Sequence, residues 1–118
     1  MLSTNVIIKK AKSYENVLSA FLISSDGFII DFYTENQEID KDYLSSIYLK
    51  IYDDIKKTSI RIGKEYPKSF IIETDSYIIG FTKLFIDNDT LILVIEFNNK
   101  IDTSKIDVFL NDIKNYFS

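Results

Sequence analysis

The stretch DKDYLSSIYLKIYDDIKKTSIRIG, Asp40 to Gly63, decides the fold. Leu44, Tyr48, Ile51, Ile55, Thr58 and Ile62 recur at alternating steps of four and three. That spacing keeps one apolar stripe on one side of an α-helix, and Ile47 widens it. At about 100° per residue, Ser46, Lys50, Asp53, Asp54, Lys57 and Arg61 gather on the opposite side. Ser45, Leu49, Tyr52 and Ser59 form a third set on a flank between the two. The pattern leaves two readings open. Either Leu49 and Tyr52 widen the core stripe, or this flank meets a second helix. Asp40 can cap the start of the helix and Gly63 its end, with Pro67 beyond as a stop signal.

Before this helix come two apolar stretches, Val17 to Ser25 and Phe28 to Tyr33, joined by Asp26-Gly27. Asp-Gly is the preferred pair for a two-residue type I′ hairpin turn, because both central residues need φ > 0. Such a turn predicts Ser25 opposite Phe28, Ile23 opposite Ile30 and Phe21 opposite Phe32. Phe21, Ile23, Phe28, Ile30 and Phe32 would then share one face, and Leu18, Ala20, Leu22, Ile29 and Tyr33 the other. Both faces are apolar, so helices should cover both sides. Asp31 breaks the pattern and reads as a residue near a sheet edge rather than a catalytic acid. Further upstream, Leu2 to Ser13 is a helix candidate with Ser3 or Thr4 as its cap, and Ile7, Ala11 and Tyr14 on one face.

After the long helix the chain reads as three strands: Ser69 to Thr74, Tyr77 to Ile86 and Thr90 to Phe97. Asp75-Ser76 and Asp87-Asn88-Asp89 are the turns. This spacing predicts Phe70, Ile72, Ile79, Phe81, Phe85, Leu91, Leu93, Ile95 and Phe97 on one face. Ile71, Ile78, Leu84, Ile92 and Val94 fall on the other. The Thr90–Phe97 strand is apolar on both faces and reads as central, and the short Ser69–Thr74 strand as an edge. Gly80 marks a bulge or a close backbone approach. Asp102 or Thr103 caps a last helix with Ile106, Phe109, Leu110, Ile113, Tyr116 and Phe117 on one face. The order is α-β-β-α-β-β-β-α, an α/β (α+β) fold in one domain, 1–118.

Composition restricts the function. A net charge of −4 argues against nucleic-acid binding, which needs a basic footprint. Cysteine and histidine are both absent. Thiol chemistry, Ser-His-Asp catalysis and most transition-metal sites go with them. No basic-then-apolar leader is visible, and the longest apolar run, Leu91 to Ile95, is too short to span a bilayer. A soluble cytoplasmic protein without direct membrane insertion is expected. No phosphate-binding loop motif occurs, so no nucleotide cofactor is expected. Asp87-Asn88-Asp89 lacks the remaining ligands of a calcium loop and reads as a turn. Arg61, the only arginine, has the placement of a helix C-terminal cation; a finger in trans for a GTPase is the rarer use. No catalytic, cofactor or metal residue is assigned, and function should lie in surfaces.

With this element order, the chain resembles the Roadblock / dynein light chain family, its prokaryotic members in particular. The resemblance rests on Val17-Leu18-Ser19-Ala20-Phe21-Leu22-Ile23-Ser24-Ser25-Asp26-Gly27, on the long helix ending in Gly63, and on the last strand running through Asn99 and Ile101 into the final helix with Ile106. The chain departs from the family where Asn16 and Ser19 stand in place of frequent glycines and Phe97 in place of a small residue. Its long helix is also poorer in alanine. The resemblance implies a five-stranded antiparallel sheet, with the long helix on one face and the terminal helices on the other. It implies a homodimer through Phe70, Ile71, Ile72 and Glu73 on the edge strand and Ser45, Leu49, Tyr52 and Ser59 on the helix flank. It implies binding of a small Ras-like GTPase, as regulator or scaffold, without enzymatic activity. Ser46, Lys50, Asp53, Asp54, Lys57, Ile60 and Arg61 are the expected partner-binding residues. The alternatives are a longin-like adaptor in membrane trafficking, which has the same element order, and a small-molecule sensor. On this reading Tyr52→Glu should give a folded monomer.

Overall fold

The computed structural model describes residues 5–98 and 100–116. The expected cap at Ser3 or Thr4, Asn99 of the resemblance, and the Tyr116 side chain and Phe117 of the last helical face lie outside what is described. The order is α1 (Asn5–Lys12), β1 (Val17–Ser24), β2 (Ile29–Thr34), α2 (Lys41–Arg61), β3 (Ser69–Glu73), β4 (Tyr77–Ile86), β5 (Asp89–Asn98) and α3 (Thr103–Tyr116). One antiparallel sheet runs β2-β1-β5-β4-β3, with β5 central and β2 and β3 at the edges, as the sequence implied.

Two cores flank the sheet. On one side Ile7, Ile8 and Ala11 of α1 and Ile106, Phe109, Leu110 and Ile113 of α3 pack on Ala20, Leu22, Leu93, Ile95 and Phe97. Tyr14 joins α1 to α3. Its ring meets Phe109 edge-on at 4.2 Å, and its hydroxyl donates to Asp112 Oδ2 at 2.6 Å, where Lys10 Nζ also pairs at 3.3 Å. Gly80 is not a bulge, and α3 packs over it at ordinary van der Waals distance. The β4 register runs unbroken, and a Cβ there would touch Leu110 and Ile106 of α3 at 3.6 and 3.7 Å.

On the other side α2 lies on an aromatic chain. Phe32 stacks on Phe21, Phe21 meets Tyr48, Tyr48 meets Phe81 edge-on, Phe81 stacks on Phe70, and Phe70 stacks on Tyr52. Each such pair contributes roughly 0.5–1.5 kcal/mol beyond area burial. Both helix caps form as expected. Asp40 Oδ1 accepts from the Tyr43 N–H at 3.1 Å. At the other end Gly63 takes φ +79°, and Gly63 and Lys64 donate to the Ile60 and Ser59 carbonyls. That is a Schellman closure, which glycine enters without strain.

Two turns differ from expectation, and each moves side chains. Asp26 does not take the positive φ that a type I′ turn requires; only Gly27 does, at +95°. The loop therefore holds three residues, with the Ser24 N–H donating to the Phe28 carbonyl at 2.8 Å. Ile23 faces Ile29 in place of Ile30, and an irregularity between Leu22 and Ile23 restores Phe21 opposite Phe32. Phe28 and Ile30, expected in the core, are 71% and 43% exposed. The second turn is one residue shorter than expected. Asp87 and Asn88 both take positive φ, and Asp89 already pairs with Ile86. A one-residue slip reverses every side chain of a strand. Leu91, Leu93, Ile95 and Phe97 consequently face α1 and α3, while Ile92 and Val94 face α2.

Candidate interaction surfaces

The orientation of α2 settles the choice its sequence left open. Tyr52 is 4% exposed and Ser45 2%, both turned to the sheet with Tyr48. Ser45 Oγ donates to the Asp42 carbonyl. Leu49 is half-buried in the same cluster and packs against the hairpin turn, where a Cβ on Gly27 would meet its Cδ2 at 3.4 Å. Ser59 Oγ is tied to the Glu65 carbonyl at 2.6 Å. The flank expected to meet a second helix is therefore engaged within the protomer, and Tyr52→Glu would strike the core. The physical reason is a rotation. The buried line runs through Ser45, Tyr48 and Tyr52, between the predicted stripe and the predicted flank. The other border of the stripe is left uncovered: Ile47 is 37% exposed, Ile55 39% and Ile62 66%, with Ile51 half-buried beside them. The excess of apolar positions over what one sheet can cover was the signal for this second surface.

The two sheet edges differ. On β2 the strand is irregular at Ile30, and Asp31 Oδ1 accepts from the Phe32 N–H at 2.9 Å, so a side chain occupies an edge donor. Such devices keep other strands away. On β3 no such device is present. Its residues pair with β4 on one side, leaving the outer row of backbone groups open. Phe70 and Ile72 are half-buried beneath α2, Ile71 is half-buried on the opposite face, and Glu73 is exposed.

The expected partner-binding residues lie together on the outer side of α2. Ser46, Lys50, Asp54, Lys57, Ile60 and Arg61 are exposed and Asp53 is half-buried. Lys50 and Asp54 form an ion pair at 3.4 Å, one turn apart. Two shallow depressions border this side. One of about 280 Å³ lies between Gly27 and Ser46, Leu49, Lys50, Asp53, Asp54 and Lys57. The other, about 340 Å³, is lined by Lys56, Lys57, Ile60, Arg61 and Tyr66. Tyr66 and Gly27 come from loops, and helix periodicity could not assign them.

At the far end of the sheet a groove of about 330 Å³ includes Leu18, Thr34, Ile39, Tyr77 and Glu96. Burial pushes the Glu96 carboxyl above its ordinary value, and the Ser19 hydroxyl partly offsets this. Burial and the Glu96 carboxylate raise the Tyr48 phenol far above the usual tyrosine range. Neither group sits in a constellation with nucleophile or metal-ligand geometry. Among the described residues no group of three or more carboxylates is placed to hold a metal, and no helix is long and apolar enough to cross a membrane.

No protein-family model and no curated protein matches the chain. Solved structures do. MglB of Myxococcus xanthus superposes with a TM-score of 0.81 at 17% identity, over 94% of this chain and 88% of that one. A Roadblock/LC7 domain from Streptomyces avermitilis gives 0.78 at 14% identity, over 98% and 94%. The gliding protein MglB of Thermus thermophilus gives 0.78 at 10%, over 97% and 88%. The departure at Asn16 is compatible with this likeness. Asn16 takes φ +70°, a conformation that glycine adopts freely and asparagine tolerates. At these identities it is the backbone that is shared, and the fold of this chain is that of the Roadblock/LC7 domains.

Proposed function

We propose that the chain is a non-enzymatic, homodimeric Roadblock-type module of the cytoplasm that binds a small Ras-like GTPase as regulator or scaffold. The observation that carries the dimer is the uncovered apolar border of α2, Ile47, Ile51 and Ile55, on the same side of the sheet as the half-buried Phe70 and Ile72 of the open β3 edge. Two β3 strands paired antiparallel about a two-fold axis would set two α2 helices side by side and antiparallel. Level with Asp53, such an axis brings Ile51 against Ile55 of the second copy and Leu44 against Ile62. Phe70, Ile71, Ile72 and Glu73 keep their expected role, while Ile47, Ile51 and Ile55 replace Ser45, Leu49, Tyr52 and Ser59. One matched structure is of MglB in a tetrameric arrangement, which supports self-association on this fold. The GTPase is what the Roadblock resemblance implies, and the mixed-charge outer side of α2 supports it as a docking face, because such surfaces steer association.

Two measurements test the reading. Light scattering should give twice the 13.8 kDa chain mass at micromolar concentration. The tagged protein, incubated with lysate of its own organism in GDP and in a non-hydrolysable GTP analogue, should retain a Ras-like GTPase with a preference between the two. A monomeric mass sinks the dimer. Absence of any GTPase under both nucleotides sinks the partner. Measurable GTP hydrolysis by the purified chain, abolished by a point substitution in it, sinks the non-enzymatic assignment.

A further inference from the structure

Lys56, Lys57, Arg61, Lys64 and Lys68 fall in a stretch that holds one acid, Glu65. That stretch carries +4 in a chain of net −4, so the remaining residues carry −8. The helix dipole accounts for a cation in the last turn of α2. It does not account for cations that continue past the helix, nor for the apolar groups exposed among them. The structure gathers Lys56, Lys57, Ile60, Arg61 and Tyr66 around one depression of about 340 Å³. Its far wall is fixed. Ser59 Oγ holds the Glu65 carbonyl at 2.6 Å, and Lys56 Nζ stands 4.9 Å from the centre of the Tyr66 ring. Ile60 is 45% exposed and Tyr66 57%. Among the described residues no carboxylate forms an ion pair with Lys56, Lys57 or Arg61.

We propose that this pocket receives a carboxylate-bearing apolar segment of a protein partner, an Asp or Glu adjacent to an aliphatic or aromatic side chain. The carboxylate would meet Lys57 and Arg61, and its apolar neighbour would cover Ile60 and the Tyr66 ring. The two chemistries line one concavity, so one short segment satisfies both. A flat anionic bilayer would touch the cationic rim without filling the pocket. The net charge of −8 on the remaining residues disfavours such a segment over most of the rest of the surface, with Lys9, Lys10 and Lys12 of α1 as the second basic cluster against which this one is tested. The inference rests on the reading of the outer side of α2 as partner-binding, and it names the partner's chemistry.

The probe is a fluorescein-labelled peptide alternating Glu and Leu, beside its Lys-for-Glu counterpart and vesicles of mixed phosphatidylserine and phosphatidylcholine. The acidic peptide should bind saturably in fluorescence anisotropy and shift the backbone amides of Lys56, Lys57, Ile60, Arg61 and Tyr66 in NMR spectra. Lys57→Glu with Arg61→Glu should weaken it roughly tenfold at about 50 mM salt and by much less at about 500 mM, as screening predicts. Lys57→Gln with Arg61→Gln should fall between. Lys9→Glu with Lys12→Glu makes the same charge change on α1, across the sheet from α2, and should leave affinity within about twofold to threefold at about 50 mM salt, where charges further away than the Debye length are already largely screened. Equal weakening by the α1 pair, no binding of the acidic peptide, or vesicle binding without peptide binding would each overturn the proposal. Peptide binding is read without any GTPase, so failure of the pocket and failure to capture a GTPase are separate results.

Discussion

Ile55→Glu and Tyr52→Glu place the same carboxylate on one helix, three positions apart, and they should fail in different ways. Tyr52 is 4% exposed and stacked on Phe70. Losing a buried aromatic costs about 3–5 kcal/mol, before the added penalty of desolvating a carboxylate in the core. Against a typical total of about 5–15 kcal/mol, that removes most of the fold's stability. Ile55 is 39% exposed. Covering that remainder in a dimer gives about 0.6–1.2 kcal/mol per chain, taking 1.5–3 kcal/mol for a fully buried isoleucine. Twice that value, once per chain, corresponds to roughly a seven- to fiftyfold weaker dimer, and like-charge repulsion near the two-fold axis adds to it. The assays are sedimentation or light scattering across a dilution series and urea unfolding at a concentration where both proteins are monomeric. Ile55→Glu should shift the dissociation midpoint and keep a cooperative unfolding transition. Tyr52→Glu should lose most of that transition. A well-folded Tyr52→Glu variant, or an Ile55→Glu variant with the wild-type dissociation midpoint, would refute the assignment of the two sides of α2.

Asp40→Ala should destabilise the fold by about 1 kcal/mol in urea, because the Tyr43 N–H loses its side-chain acceptor. Asn88→Ala should cost about 1–2 kcal/mol, since φ +68° strains a residue with a Cβ, and Asn88→Gly should cost nothing or stabilise. Glu96 titrates above an unfolded glutamate, so its contribution is full below the unfolded value and is lost as pH rises through the folded one. Glu96→Gln should therefore raise the melting temperature near pH 7 and leave it nearly unchanged near pH 3, as a thermal scan at both pH values would register.

The element order, the central β5 strand and the β3 edge were legible because they depend on apolar patterns summed over many residues, while the placing of the helices on the two faces came from the Roadblock resemblance. Twenty-one helical positions of α2 outvote any single substitution. Register was less legible, because it hangs on a single turn. Asp26-Gly27 and Asp87-Asn88-Asp89 both read as hairpin turns, yet only the second holds two left-handed residues, Asp87 and Asn88. What decides between them is whether Ser24 or Ser25 closes the hairpin, and the Ser24 hydroxyl, which accepts the Phe28 N–H at 3.0 Å, favours the wider loop. Which side chains of α2 face outward was legible in part. The charged side of α2 was assigned from the sequence. Its apolar border was not, because a helical wheel cannot locate the sheet to within the roughly 70° between the centre of the predicted stripe and the line through Ser45, Tyr48 and Tyr52.

If the protein pairs through β3 as proposed, the unequal edges of the sheet set how far assembly can go. A protomer with two reactive edges behaves as a bifunctional monomer and grows without limit, as fibrils do. A protomer with one reactive edge is monofunctional: the first union consumes its valence and growth stops at two. In the dimer proposed above, Ile30 and Asp31 would act as a chain terminator, on the edge of the sheet opposite the strand that would join. Restoring regular pairing on β2, by deleting Ile30 and replacing Asp31 with Thr, would hand the protein a second valence. A dilution series would then show species beyond the dimer whose length grows with concentration, built from protomers whose own cores are untouched.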